Sequence, residues 1–331
     1  MALRIIFPER GRVQLQTFEV RAPGEREVTV RTAYSLMSIG TEMTILYARY
    51  DPGTHFAAMF SFPQLQTGVQ AVARVEAVGG AVSEIRPGDY IFMRMAHTSH
   101  WTLPAEQCSV IPEGLDLRSA CWCGLAKTAF RAAYVAPFQL GGEVLIVGAG
   151  PVGQMAVRWA KSAGMARIVA IDISAPRLRH AARGGATHCV EGRLSDQRAM
   201  LLTLSGGSGF DVVVDSTGSA PVFSETLGLI AGYGKLVLLG DTGYPTKQCL
   251  TSDVMKKGLT IVATHDHHDR GGWTERKIDA LFFKLVRDGS FRLDDLVTHT
   301  FSPTECEHAY ALVSDRREDA VGVLFDWAQS R

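Results

Sequence analysis

What the chain lacks narrows it first. Its 331 residues carry 34 lysines and arginines against 34 aspartates and glutamates, so the formal net charge is zero. A balanced chain has no charge excess of the kind that draws a protein to nucleic acid or to an anionic membrane. No apolar run is long enough to span a bilayer, and residues 1–8 have no signal-peptide shape. A cytoplasmic protein with no membrane or nucleic-acid partner is therefore expected. Cysteine is sparse and scattered, with six residues: Cys108, Cys121, Cys123, Cys189, Cys249 and Cys306. No CxxC pair occurs among them, so neither a thiol redox motif nor a zinc ribbon is readable. Free, mostly buried thiols are expected in a reducing compartment. There is no internal repeat, low-complexity tract or long linker. The hydrophobic content of 46% supplies a substantial core, and the length suggests two domains.

What is present concentrates in residues 143–160. Val144, Leu145, Ile146 and Val147 form a short β-rich run that ends on Gly148, Ala149, Gly150, Pro151, Val152 and Gly153. Met155, Ala156, Trp159 and Ala160 then fall at helical spacing. The order is strand, glycine turn, helix. Gly148 allows a tight turn, Gly150 lets a pyrophosphate approach the backbone, and Gly153 lets the helix pack on its strand. Amide groups at the helix start and the helix dipole favour phosphates. A second apolar run, residues 168–171, ends in Asp172. That acid lies in the window, about 20 residues on, where a carboxylate accepts the ribose hydroxyls of NAD. A tight turn with no ligand is the blander reading, and the ordered arrival of strand, turn, helix, strand and acid argues against it. Asp172 would repel a 2′-phosphate, and Ile173 follows it rather than Arg or Ser. Arg177, five residues on, compensates only in part. NAD is expected over NADP.

Either side of this stretch the periodicity differs. Residues 1 to about 120 read as β-rich. Residues 27–33 and 70–78 alternate cleanly, and Arg86-Pro87-Gly88-Asp89 is a turn before the apolar residues 90–93. Residues 119–134 are long and apolar enough for a helix. After the glycine turn, strands at 210–215, 235–240 and 259–263 alternate with helices at 177–182 and 223–231. Such alternation implies a parallel sheet, with ligands outside the carboxyl ends of its strands. Gly150, Asp172, Thr217, Gly218, Gly240, Thr264 and His265 would sit at that edge. Helices near 274–288 and 303–313 and strands at 297–301 and 321–325 complete the chain.

This order, with Ile39-Gly40-Thr41-Glu42, Arg86-Pro87-Gly88-Asp89, the glycine turn with Asp172, residues 211–218 and residues 235–240, resembles the medium-chain dehydrogenase/reductase superfamily, the fold of zinc alcohol dehydrogenases and quinone oxidoreductases. The resemblance covers essentially the whole chain. It implies an α/β protein with a doubly wound Rossmann sheet and a β-rich GroES-like catalytic domain. The expected divisions are 1–123 for the GroES-like domain, 124–266 for the NAD-binding domain and 267–331 for a C-terminal return to the catalytic domain. It also implies a homodimer joined through the edge strand at 259–263.

The departures from the family pattern bear on chemistry. Zinc members hold catalytic metal with Cys-Gly-Thr-Asp, Gly-His-Glu and a later Glu or Cys. Here the first reads Ile39-Gly40-Thr41-Glu42 and the second Gly68-Val69-Gln70. Only Cys121 or Cys123 survives at the third place, and one thiolate does not make a site that wants three protein ligands. The four-cysteine lobe for structural zinc is missing as well. No metal is expected, so a side chain must handle the proton while hydride moves to or from the nicotinamide.

Thr41 sits where the family has a relaying hydroxyl. Glu42 is either a base freed from supporting a metal or a salt-bridge partner. Lys127 borders the cleft or is a solvated helix position. His265 and His267 stand in a run of three histidines and two aspartates, residues 265–269, that is either part of the substrate site, a metal cluster or a polar surface loop. His97 and His100, with Trp101, are expected at the substrate mouth or the surface. Residues 47–62, rich in aromatics and containing His55, read as a lid or as packing against the neighbouring domain.

Three functions follow. The first is a zinc-independent NAD-dependent dehydrogenase that interconverts a secondary alcohol and a ketone, the substrate being a polyol, cyclitol, sugar-like or bulky biosynthetic intermediate. The second is an NAD(P)H-dependent enone or quinone reductase, against which Asp172 speaks. The third is a non-catalytic cofactor-binding protein.

Overall fold

The computed structural model describes residues 1–265, 268, 269 and 271–329. The apolar runs become the centre of a six-stranded parallel sheet, in the order His188–Glu191, Arg167–Asp172, Glu143–Val147, Phe210–Asp215, Ile230–Leu238, Thr260–Ala263. Leu145 lies beside Val169 on one side and Val213 on the other, and all three are fully buried. Continuous rather than alternating apolar runs are what a parallel sheet covered on both faces requires. The helix Pro151–Ser162 packs beside the helix Cys123–Val135, and the Trp159 indole donates to the Ala126 carbonyl at 2.7 Å. The strand order reverses between Glu143–Val147 and Phe210–Asp215. A crevice for a ligand opens beyond the carboxyl ends of strands at such a point.

A second, seven-stranded sheet is built around Glu27–Leu36. On one side follow Ala71–Val78, Tyr90–Met93 and Cys108–Val110, and His100–Pro104 pairs with Glu27–Leu36 as well. On the other side lie Gly322–Asp326 and Val297–Phe301, so the C-terminal segment returns to the N-terminal sheet. A small sheet of Gln14–Phe18, Ala2–Phe7 and Leu65–Gln66 covers one end. The α/β class and the separate β-rich sheets stand as expected. No helix among the described residues is long and apolar enough to cross a membrane.

Some elements differ from the sequence reading. The helix expected over 119–134 is two pieces, Leu117–Ala120 and Cys123–Val135. Asp116 caps the first, accepting from the amides of Arg118 and Ser119, and the fully buried Trp122 marks the break. The strand His188–Glu191 carries little apolar signal, because this outermost strand buries only Val190, and the helix Leu194–Leu204 follows it. Residues 47–62 hold one short helix, His55–Met59, capped by Thr54. Phe56 packs there into a core that includes Ile39, Leu46 and Phe301.

Candidate active site

The glycine turn is shaped by contacts that exclude side chains. Gly148 has φ +88, and a Cβ on Gly153 would lie 2.0 Å from the Gly148 carbonyl oxygen. The Ser216 hydroxyl donates to that same oxygen at 2.8 Å and ties the turn to the next strand end. Gly150 caps the following helix, with Pro151 at its first position and Val152 next. Above Gly150 there is room: a Cβ there would meet only Arg177 Nη1, at 4.0 Å. Asp172 ends its strand beside the turn, nearly buried. Its oxygens accept the amides of Ala149 at 2.7 Å and Ser174 at 2.8 Å. Ile173 is exposed. The Arg177 guanidinium donates to the carbonyls of Arg317 and Ala320, so it is engaged by the C-terminal segment. Thr217 donates its amide and its hydroxyl to Asp215, at 2.8 and 2.6 Å. Gly218 and Gly240 let two strand-end turns touch, since a Cβ on Gly240 would meet the Gly218 amide at 2.6 Å. These groups fit a dinucleotide: a turn closed to side chains but open above Gly150, amides at a helix start, and a carboxylate next to them.

The places that hold zinc in similar proteins do not fit zinc. Ile39 is buried and apolar, as is the side chain of Val69 in character. Gln70 is fully buried, with Oε1 accepting the Leu125 amide at 3.1 Å and Nε2 without a partner. The Cys123 thiol donates to Asp279 Oδ1 at 3.2 Å, and burial raises its pKa well above the ordinary thiol range. The Cys121 thiol donates to the Tyr34 carbonyl at 3.6 Å. Lys127 is not solvated: it is 1% exposed, 2.7 Å from Glu275 and 3.8 Å from Asp279.

Glu42 lies away from solvent altogether. Its carboxylate accepts from the Ser38 amide at 2.6 Å, Thr67 Oγ1 at 2.9 Å and the Tyr310 hydroxyl, and it sits 3.2 Å from His97 Nε2. His97 Nδ1 pairs with Ser35 Oγ at 2.7 Å, and the Trp327 indole donates to the same hydroxyl. The expectation that His97 lines the mouth or the surface is corrected, because the ring is fully buried. Burial alone would raise the Glu42 carboxyl; the charge and hydrogen bond of His97, with the hydrogen bonds of Tyr310 and the Ser38 amide, outweigh it and hold the pKa below the usual range. Thr41, one residue earlier, is half-buried on the first turn of the helix Ile39–Leu46, where Ser38 Oγ donates to it at 3.3 Å.

Beyond a strand end of the parallel sheet, two groups meet that the sequence reading did not join. Asp241 follows Gly240 directly, and His55 Nε2 lies 2.8 Å from its Oδ2. Burial raises the Asp241 carboxyl, against the pull of His55 and His265. The His265 ring is 6.5 Å from that of His55. Thr264 contributes a buried hydroxyl, without a partner among the described residues, to a cavity of about 490 Å³ walled by Phe130, Tyr134 and Trp273. His267 lies outside the described residues. The available signal for Asp241 was a carboxylate placed right after a strand-end glycine.

A parallel sheet of this order, with a glycine turn and a strand-end acid, beside separate β-rich sheets, is a Rossmann-type fold combined with a GroES-like one. Residues 151–273 match the family model described as zinc-binding dehydrogenase. An L-threonine 3-dehydrogenase of Bacillus velezensis is 33% identical over 176 residues, 52% of this chain and 48% of that protein. The chain thus spans about half the length of the first curated relatives it matches. An L-threonine 3-dehydrogenase of Anaeromyxobacter sp. (strain K) is 28% identical over 80% of this chain and 82% of its own. The fold matches galactitol-1-phosphate dehydrogenase from Escherichia coli with a TM-score of 0.82, at 16% identity, over 98% of this chain and 99% of that one. Residues 151–273 are thus similar to that dehydrogenase family, and the whole chain shares its fold with the galactitol-1-phosphate dehydrogenase structure.

Proposed function

We propose that the chain is an NAD-dependent dehydrogenase that interconverts a secondary alcohol and a ketone without zinc. The observation that carries the cofactor is Asp172, a carboxylate set beside the Ala149 amide with an apolar residue after it. It would accept the ribose hydroxyls and repel a 2′-phosphate. Arg177, bonded to two carbonyls of the C-terminal segment, is poorly placed to offset that repulsion. NAD, when bound, supplies the hydride acceptor. The chain's own residues do the rest. The turn at Gly148, Gly150 and Gly153 seats the pyrophosphate, with Thr217, Gly218, Gly240 and Thr264 along the same edge. Absence of a zinc donor set follows from Ile39 and Val69 having no donor atoms and from a Cys123 thiol that burial keeps protonated. Proton transfer then belongs to side chains along that edge and on the β-rich part of the chain, with Thr41 and His265 among the candidates. Glu42, enclosed by four partners, suits anchoring of the helix that carries Thr41.

The relatives' names support a hydroxyl-bearing substrate, of polyol, sugar-like or bulkier kind. The domain divisions at 123 and 266, a cytoplasmic setting and a two-fold dimer belong to the same proposal. For the dimer the support is the strand Thr260–Ala263, paired on one side only and partly exposed. The test is a panel of secondary alcohols and ketones assayed with NAD(H) and NADP(H), alongside metal analysis. Higher kcat/KM with the phosphorylated cofactor would sink the NAD assignment. About one zinc per chain would overturn the metal-free chemistry, since that is the content of a catalytic site with three protein ligands.

A further inference from the structure

We propose that His55, held by Asp241, takes the substrate's proton, so that a histidine–aspartate pair assembled across the crevice does the work of a metal; this rests on the dehydrogenase reading above. The two residues come from different parts of the fold. His55 begins the short helix of residues 47–62, next to the β-rich domain, and Asp241 follows the end of a strand in the parallel sheet. That strand end is the edge where ligands of such sheets bind.

The contrast with the buried histidine–carboxylate pair is informative. His97 and Glu42 are both 0% exposed, whereas the side chains of His55 and Asp241 are 50% and 42% exposed. Of these two pairs, the second is open to a substrate. It is also held firmly. The Asp51 amide donates to the Gly243 carbonyl at 2.6 Å, and Thr246 Oγ1 donates to Asp51 Oδ2 at 2.5 Å. A Cβ on Gly243 would lie 2.0 Å from the Arg49 carbonyl oxygen, so the two segments touch backbone to backbone. On its own helix the His55 ring packs against Phe56, 4.4 Å between centroids, and Phe56 is anchored in the core. Facing His55 are Asp241 and His265.

With Nε2 turned to Asp241, Nδ1 is the basic nitrogen. In alcohol oxidation the carbinol C–H bond breaks and its electron pair leaves with hydride for NAD, which is reduced. The O–H bond breaks, its proton goes to His55 Nδ1, and its electron pair becomes the second bond of the carbonyl. The imidazolium is then stabilised by the Asp241 carboxylate. In ketone reduction the same nitrogen returns the proton. His55 is the catalytic residue of this step and Asp241 a positioning residue.

The experiment uses the full chain, wild type, His55→Gln and Asp241→Asn, with an alcohol the wild type oxidises. NAD binding is read by fluorescence titration, and hydride transfer as NADH absorbance between about pH 5 and 10. For His55→Gln, kcat/KM is expected to fall about a hundredfold or more near neutrality, the scale of general base catalysis. It should recover in part as pH rises or when imidazole is added, while NAD affinity holds within about twofold. For Asp241→Asn the fall is smaller. The loss should lie in kcat, with KM within about twofold, because the ring still reaches the substrate but is no longer held for the proton. A His55→Gln enzyme that binds NAD and turns over as the wild type does overturns the pair while the dehydrogenase reading survives. An Asp241→Asn enzyme whose kcat equals that of the wild type overturns the orienting role. A wild type that reduces no NAD with any secondary alcohol overturns both.

Discussion

Single carboxylates in this chain have opposite fates, set by what surrounds them. Glu42 is enclosed by Ser38, Thr67, His97 and Tyr310, and breaking a buried network by removing one charge leaves the remaining partners uncompensated. Glu42→Gln should therefore cost about 3 kcal/mol of stability at neutral pH, read from urea midpoints. The pH dependence has a definite sign. Because the folded carboxyl titrates lower than the unfolded one, its stabilisation is complete above the unfolded value, about 4.3. It is lost as pH falls through the lower, folded value. Midpoints followed down an acid series should show that loss in the wild type and less of it in Glu42→Gln. Asp172 is instead poised beside the glycine turn, its oxygens on backbone amides. Asp172→Asn should weaken NAD by about tenfold, or 1.4 kcal/mol, and narrow the gap to NADP. Equal NAD affinity in a fluorescence titration would remove the ribose role.

The strand, turn and helix at residues 143–162 form one element whose glycines answer to different demands. At Gly153 an added methyl collides with the Gly148 carbonyl oxygen at 2.0 Å, so the helix cannot reach its strand. Gly153→Ala should lose about 3 kcal/mol or more, seen as an early thermal transition. At Gly150 the backbone has φ −68, which alanine adopts, and the nearest atom to its Cβ is 4.0 Å off. Gly150→Ala should melt within about 2 °C of wild type, yet bind NAD more than about tenfold less tightly, because its methyl stands where the pyrophosphate approaches. A Gly150→Ala protein with normal NAD affinity would mean the cofactor lies elsewhere. The same element logic applies to Lys127, whose helix face is covered by Glu275 and Asp279 rather than by water.

The whole molecule joins its two sheets through contacts far apart in the chain. Ser174 Oγ donates to the Glu318 carbonyl at 2.8 Å, and a Cβ on Gly40 would lie 3.8 Å from Arg317 Nη2. Asp51 and His55 reach the loop after Gly240. At one edge of the parallel sheet, among the described residues, Thr260–Ala263 pairs only with Lys235 to Leu238. An open, partly apolar edge favours pairing with another copy. Light scattering in solution is expected to give twice the mass of one chain, and Ile261→Lys should halve it. A wild type that stays monomeric at all concentrations would end the dimer proposal.

By itself the sequence determined what contiguous residues encode. The parallel sheet, the glycine turn, Asp172 and the lack of donors at Ile39 and Val69 were legible, because a strand period, a turn and an absent side-chain atom are local properties. Tertiary structure decided the rest. His97 looked like a mouth residue until the segment at 97 was seen to close over Glu42 and Ser35. His55 reads from sequence as part of a lid or of packing against the neighbouring domain, and only the fold sets Asp241 against it. A histidine's environment, and so its chemistry, depends on which distant segments converge on it. Local periodicity carries no information about that convergence, which follows from packing two sheets and a returning C-terminal segment around shared cores.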